Sequence, residues 1–100
     1  ARAMEIYQGK LIAYSLANFA TYGRFNLQEE RRFGAILDLE ISNSGKMESA
    51  QIISIEQKYW GVPFIDPEHR FSQMVDSLSQ ADLPTSVLRI NAQGQIQLKD

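Results

Sequence analysis

Asn18, Tyr22 and Arg24 are the side chains whose types and spacing best suit chemistry. They follow an apolar run at 11–16 that reads as a strand, and the loop after a strand is where binding and catalytic groups concentrate. The Asn18 amide both donates and accepts hydrogen bonds, so it can orient a bound water or a carboxylate. Arg24 lies between Gly23 and Phe25, and its planar fork suits bidentate contact with carboxylate or phosphate. Tyr22 can flank the same pocket. A purely structural role competes with each: Asn holds turns through its own backbone, and Arg24 can pair with Glu29 or Glu30.

Other constellations are weaker. Glu29-Glu30-Arg31-Arg32 mixes signs four in a row. It reads as a solvated turn, with a phosphate clamp by Arg31 and Arg32 as the alternative. Asp38 and Glu40 could be metal ligands or an acid/base pair, but acids alternating with apolar residues are what a wet sheet face looks like. His69 is the single histidine and cysteine is absent, whereas zinc usually takes several His or Cys ligands. Ser15 sits inside a strand pattern, not at a sharp strand-to-helix turn, so it makes no nucleophile elbow. No Gly-rich phosphate loop appears. The chain alone is therefore expected to use no cofactor, bind no metal tightly and hydrolyse no phosphate ester.

The elements that must position these residues follow from periodicity. Residues 3–7 and 11–16 form a hairpin about Gln8-Gly9, and the second strand, with large residues on one face and small on the other, is expected to be buried on both sides. A long connection follows. Phe33–Ile41 alternates, with Ala35, Leu37, Leu39 and Ile41 on one face and Asp38 and Glu40 on the other. Ser42-Asn43-Ser44-Gly45-Lys46 is a loop, and 47–57 is the partner strand with Glu48 and Glu56 outward. Residues 58–65 have no clean period, and Trp60 and Phe64 are expected to pack this loop onto the sheet. Asp66-Pro67-Glu68 predicts a helix start with Asp66 as cap, running from 67 to 79 or 80. Phe71, Met74, Val75 and Leu78 make its apolar stripe. His69 falls in its first turn and is expected to be exposed. Two short strands, 87–90 and 95–98, close on a turn with Gly94. The predicted class is α+β: mainly antiparallel β hairpins packed with one helix in the C-terminal half.

One hundred residues bound this to a single domain, 1–100. Hydrophobic content of 44% with 10% aromatics marks a globular chain. A net charge of −2 without a basic stripe argues against nucleic acid. No apolar run approaches the roughly 20 residues of a membrane-spanning helix. The chain opens at Ala1 and enters a strand almost at once, so it reads as cut or processed from a longer protein.

The stretch Leu-Ile-Ala-Tyr-Ser-Leu-Ala-Asn-Phe at 11–19 resembles the Tyr-Ser-Leu-Gly-Asn-Phe signature of bacterial capsule-synthesis, or poly-gamma-glutamate-synthesis (CapA-type), proteins. Ala-Thr-Tyr-Gly-Arg-Phe-Asn-Leu at 20–27 is similar to one branch of that family, and the likeness covers about residues 4–41. It departs at Ala17, which stands where the family has Gly; Gly takes positive φ freely and Ala only at a cost. The resemblance implies a calcineurin-like metallophosphatase fold, of which this chain is the C-terminal part: the signature strand, its loop, and the strands and helix that finish an α/β sandwich. It also implies that the Asp, His and Asn metal ligands lie upstream, with a divalent metal in the parent and none held here. Asn18 matches the Asn of the signature, and the family's acidic polymer is the ligand Arg24 would meet. The remainder of the parent would be the partner, and the cell envelope the location. From the residues alone a stand-alone protein-binding or assembly module stays open. On the fragment reading, strand edges and an apolar face left uncovered by the missing part lead one to expect a homo-oligomer of the isolated chain, and a monomer would favour the stand-alone module.

Overall fold

β4 (Met47–Lys58) is the strand on which the sheet is built. The structure, a computed structural model, describes residues 2–17, 32–59, 61–83 and 87–98. One edge of β4 pairs antiparallel with β3 (Phe33–Ile41), in register from Phe33↔Glu56 to Glu40↔Ser49, with a shift between Glu40 and Ile41. Its other edge is shared. β5 (Val62–Ile65) takes one end, through Ile55↔Ile65 to Lys58↔Val62, and β7 (Gln95–Leu98) takes Ala50 and Gln51. β6 (Leu88–Ile90) pairs with β7 and completes the order β3-β4-β7-β6.

Between β5 and β7 the middle of β4 would be left with bare peptide groups. Two non-strand segments satisfy them. The Ile52 N–H donates to the Gly94 carbonyl at 2.7 Å, and the Asp66 N–H donates to the Ser54 carbonyl at 2.8 Å. Gly94 has φ 85°, and a Cβ there would lie 2.4 Å from the Ile52 carbonyl oxygen, so only glycine fits this approach.

These two bonds also fix which way each strand's peptide groups point. Residues 52 and 54 face β5 and β7, so 51, 53 and 55 face β3, because backbone groups alternate along a strand. By register Phe64 and Val62 point their peptide groups at β4, while Pro63 and Ile65 point theirs outward. Pro63 therefore sits where no N–H is demanded, the edge position that tolerates proline in a sheet.

One face of the sheet receives α1 (Arg70–Asp82). The core gathers Phe33, Ala35, Ala50, Ile52, Phe71, Val75, Leu88, Ile90 and Ile96, all buried. Met4 joins them from the two-stranded sheet of β1 (Met4–Tyr7) and β2 (Lys10–Ala13), whose two-residue turn has positive φ at both Gln8 and Gly9. Serines stitch the layers: the Met4 N–H donates to Ser79 Oγ at 2.9 Å, and the Ser72 N–H to Ser54 Oγ at 3.1 Å.

The α+β class, the antiparallel pairing and the single helix among the described residues are as the periodicity predicts. Several boundaries differ. The helix begins at Arg70, not at 67, because Asp66 first closes a turn through the His69 N–H, and it runs on to Asp82. Strand β2 stops at Ala13, and its residues are half-buried or exposed, not buried on both sides. Ile41 leaves the core face, at 57% exposure, because the register shifts just before it. Residues 62–65 form a strand that the broken period concealed. Phe64 is 42% exposed and meets Tyr59 edge to face at 5.9 Å, so it does not pin a loop to the core. Trp60 lies outside the described residues.

Phe71 is fully buried against the sheet face. Phe71→Ala is expected to cost about 3–5 kcal/mol in equilibrium denaturation. A loss below ~0.5 kcal/mol would place the stripe at the surface.

Candidate functional site

The described residues on either side of 18–31 are Ala17 and Arg32. Ala17 pairs with Gly34 at the end of β3, and its N–H donates to Ser15 Oγ at 3.0 Å. Ala17 has φ 60°, the left-handed conformation that costs an L-residue with a Cβ roughly 1–2 kcal/mol. On the other side Arg32 re-enters the structure beside Phe33, so the two ends of the 17–32 connection meet at the start of β3. Asn18, Tyr22 and Arg24 fall on 18–31, outside the described residues, as does Arg31.

Arg32 is built into a charged network, not a phosphate clamp. Its Nε lies 2.9 Å from Glu56 Oε2, and its guanidinium stacks 4.6 Å from the centre of the Phe33 ring. The Arg70 guanidinium lies at the same distance from that ring and reaches Glu56 Oε1 at 3.0 Å. Glu56, expected outward, is instead drawn between two arginines, with only 15% of its side chain exposed.

Asp66 is the buried centre of the network. Its side chain is wholly inaccessible. Oδ2 accepts from the Arg70 N–H at 2.9 Å and from Arg70 Nε at 3.1 Å. Oδ1 accepts from the Glu68 N–H at 3.2 Å and from Arg70 Nη2 at 3.1 Å. Burial alone would push this carboxyl's pKa up. The Arg70 guanidinium and the two backbone N–H groups outweigh it and hold the group below its ordinary value. Four donors occupy the carboxylate, so it has no lone pair to offer a substrate proton, and its work is to fix the helix start. The spacing Asp66–Arg70, four apart at a helix entry, was the sequence signal for this pair. The link to Glu56 and Arg32 needed the strand register.

The remaining candidates stay separate. Asp38 and Glu40 are exposed and line a shallow hollow of about 210 Å³ with Ser49, Gln51 and Gln95. His69 is half-buried, takes φ 54° as the helix cap, and uses its carbonyl to accept from Ser72 Oγ and the Gln73 N–H. Among the described residues no three His, Cys, Asp or Glu side chains come together to hold a metal. A larger groove of about 480 Å³ opens between Arg2, Ala3, Tyr14, Asp82 and Leu83. There the Tyr14 hydroxyl donates to Glu5, whose carboxylate holds the phenol above its usual range.

Two measurements follow from this geometry. Ala17→Gly is expected to raise stability by about 0.5–1 kcal/mol in thermal unfolding, the left-handed strain relieved less the entropy glycine adds to the unfolded chain; an unchanged or lowered midpoint would contradict the strain. Asp66 has a folded-state pKa below its unfolded value of about 3.9. It therefore contributes stability above that pH and loses it as pH falls through the lower folded-state value. Asp66→Asn is expected to cost about 1.5–3 kcal/mol at pH 7 and to flatten the loss of urea resistance on acidification. A variant with the wild-type acid slope would remove Asp66 from that role.

No family model matches the chain, and neither a curated protein nor a solved structure matches it.

Proposed function

We propose that this chain is the C-terminal part of a bacterial capsule-synthesis or poly-gamma-glutamate-synthesis protein of CapA type. On this reading it completes a metallophosphatase-like sandwich at the cell envelope and is not catalytic by itself. The observation that carries the reading is Ala17. The signature Tyr-Ser-Leu-Gly-Asn-Phe has glycine at that place, and the backbone here takes φ 60°, a conformation glycine adopts without strain. The residue type departs from the signature, and the φ here is one that a glycine would take without strain.

A second feature supports the incompleteness this reading requires. The sheet face away from α1 carries Ile36 on β3 and Ile65 on β5, on either side of the half-buried Ile53 and the already buried Ile55 of β4. Ile36 is 43% and Ile65 74% exposed. The remainder of the parent would cover them. The divalent metal and its Asp, His and Asn ligands belong to that remainder on this reading. The loop after β2 lends Asn18, Tyr22 and Arg24 to the rim, with Arg24 facing an acidic polymer.

Replacing Asn18 and Arg24 with alanine in the full-length parent tests the proposal. Polymer production is expected to fall at least about tenfold, the effect of some 1.4 kcal/mol, with the protein folded and abundant. Unchanged production would make the loop scaffolding. The parent's own sequence checks the lineage: Asp, His and Asn-His motifs are expected upstream of Ala1, and their absence would favour a stand-alone binding or assembly module.

A further inference from the structure

We infer that the outer edge of β3 is a docking edge for an extended, basic polypeptide strand, which adds to the sheet beside Leu37, Leu39 and Ile41. The inference stands on the geometry of the sheet and not on the proposed lineage.

The register fixes which backbone groups the edge presents. Gly34, Ile36, Asp38 and Glu40 lie opposite Ile55, Ile53, Gln51 and Ser49, the residues of β4 whose peptide groups face β3. The N–H and C=O groups of Leu37 and Leu39 therefore point away from β4, and so do those of Ile41. Near Gly34 this outer edge is taken by the bridge from Ala17. Beyond it no strand among the described residues pairs with the outer side of β3. An edge of unpaired peptide groups is a template for a further strand.

The sheet's other edges are short or carry proline, whereas this stretch is long and proline-free. Along β5 the outward position holds Pro63, which has no N–H to give. β6 is three residues long and carries Arg89. β3 is nine residues long, without proline, lysine or arginine, and its register stays regular as far as Glu40.

Charge selects the occupant. Asp38 and Glu40 are exposed on the face away from α1. Among the described residues neither has an ion-pair partner. A strand laid along β3 places alternate side chains beside these acids, where opposite charge is favourable and like charge is not. A second copy of β3 in isologous pairing would bring four carboxylates onto one face. A strand with lysine or arginine at every second position, and apolar residues between, satisfies both the peptide groups and the charges.

The probe is an acetylated, amidated heptapeptide of alternating valine and lysine, titrated into the whole chain and followed by amide chemical shifts. Saturable binding with shifts concentrated over 35–41 is expected. The same peptide N-methylated at alternate amides keeps its charge but cannot form the ladder, and is expected not to bind. The Asp38→Lys/Glu40→Lys variant, both changes lying on the exposed face, is expected to weaken binding about tenfold with unchanged circular dichroism. Leu39→Pro, which removes an outward N–H together with a half-buried side chain packed on the core, is a second variant expected to lose binding; if it unfolds, the lysine pair still decides. Equal binding of the N-methylated peptide would reduce the effect to charge alone and overturn the inference. So would absence of saturation at millimolar peptide, or a dimer through β3 that the peptide does not displace.

Discussion

The sheet depends on how the middle of β4's second edge is closed. Two strands share that edge and neither reaches its centre. The Asp66 peptide N–H fills part of the gap by donating to Ser54. The same residue's carboxylate, sealed from solvent, gathers two backbone N–H groups and the Arg70 guanidinium. Backbone and side chain of one residue thus close a sheet and open a helix. A buried carboxylate is costly unless paired and hydrogen-bonded, and here every lone pair is used. Removing Arg70 would leave that charge with two peptide donors only.

The network extends from there to the loop base. Arg70 reaches Glu56, Glu56 holds Arg32, and both arginines lie against the Phe33 ring. Phe33 is buried and stands one residue before Gly34, which pairs with Ala17. The two ends of the 17–32 connection are thereby fixed to one rigid corner of the sheet. Rigid anchorage of loop ends is what lets a loop present side chains reproducibly.

Strong periodicity was legible in the sequence. The alternation in β3, the loop 42–46 and the hairpin turn at Gly94 stand where the residues predict, since each rests on a local pattern. What failed was non-local. Val62-Pro63-Phe64-Ile65 is a strand because β4 offers it an edge, and no local period could show that. The helix start moved three residues because Asp66 belongs to the sheet as well as to the cap. Glu56 alternates as a surface residue should, yet two arginines from distant parts of the chain converge on it. Of the candidate site, the sequence indicated Asn18, Tyr22 and Arg24, which lie outside the described residues. The positive φ at Ala17 has no local signal in the sequence, because alanine rarely takes it.

The bond from the Met4 N–H to Ser79 Oγ spans 75 residues of sequence. On a ribosome adding roughly 5–20 residues per second, the serine is made about 4–15 s after its partner. The first hairpin therefore leaves the tunnel well before its helical seat exists. A two-stranded hairpin alone is marginally stable in water, so Met4, Ile6 and Leu11 spend that interval without the core that later covers them. In the order of synthesis, residues 4–13 thus wait longest for the tertiary support that the helix supplies.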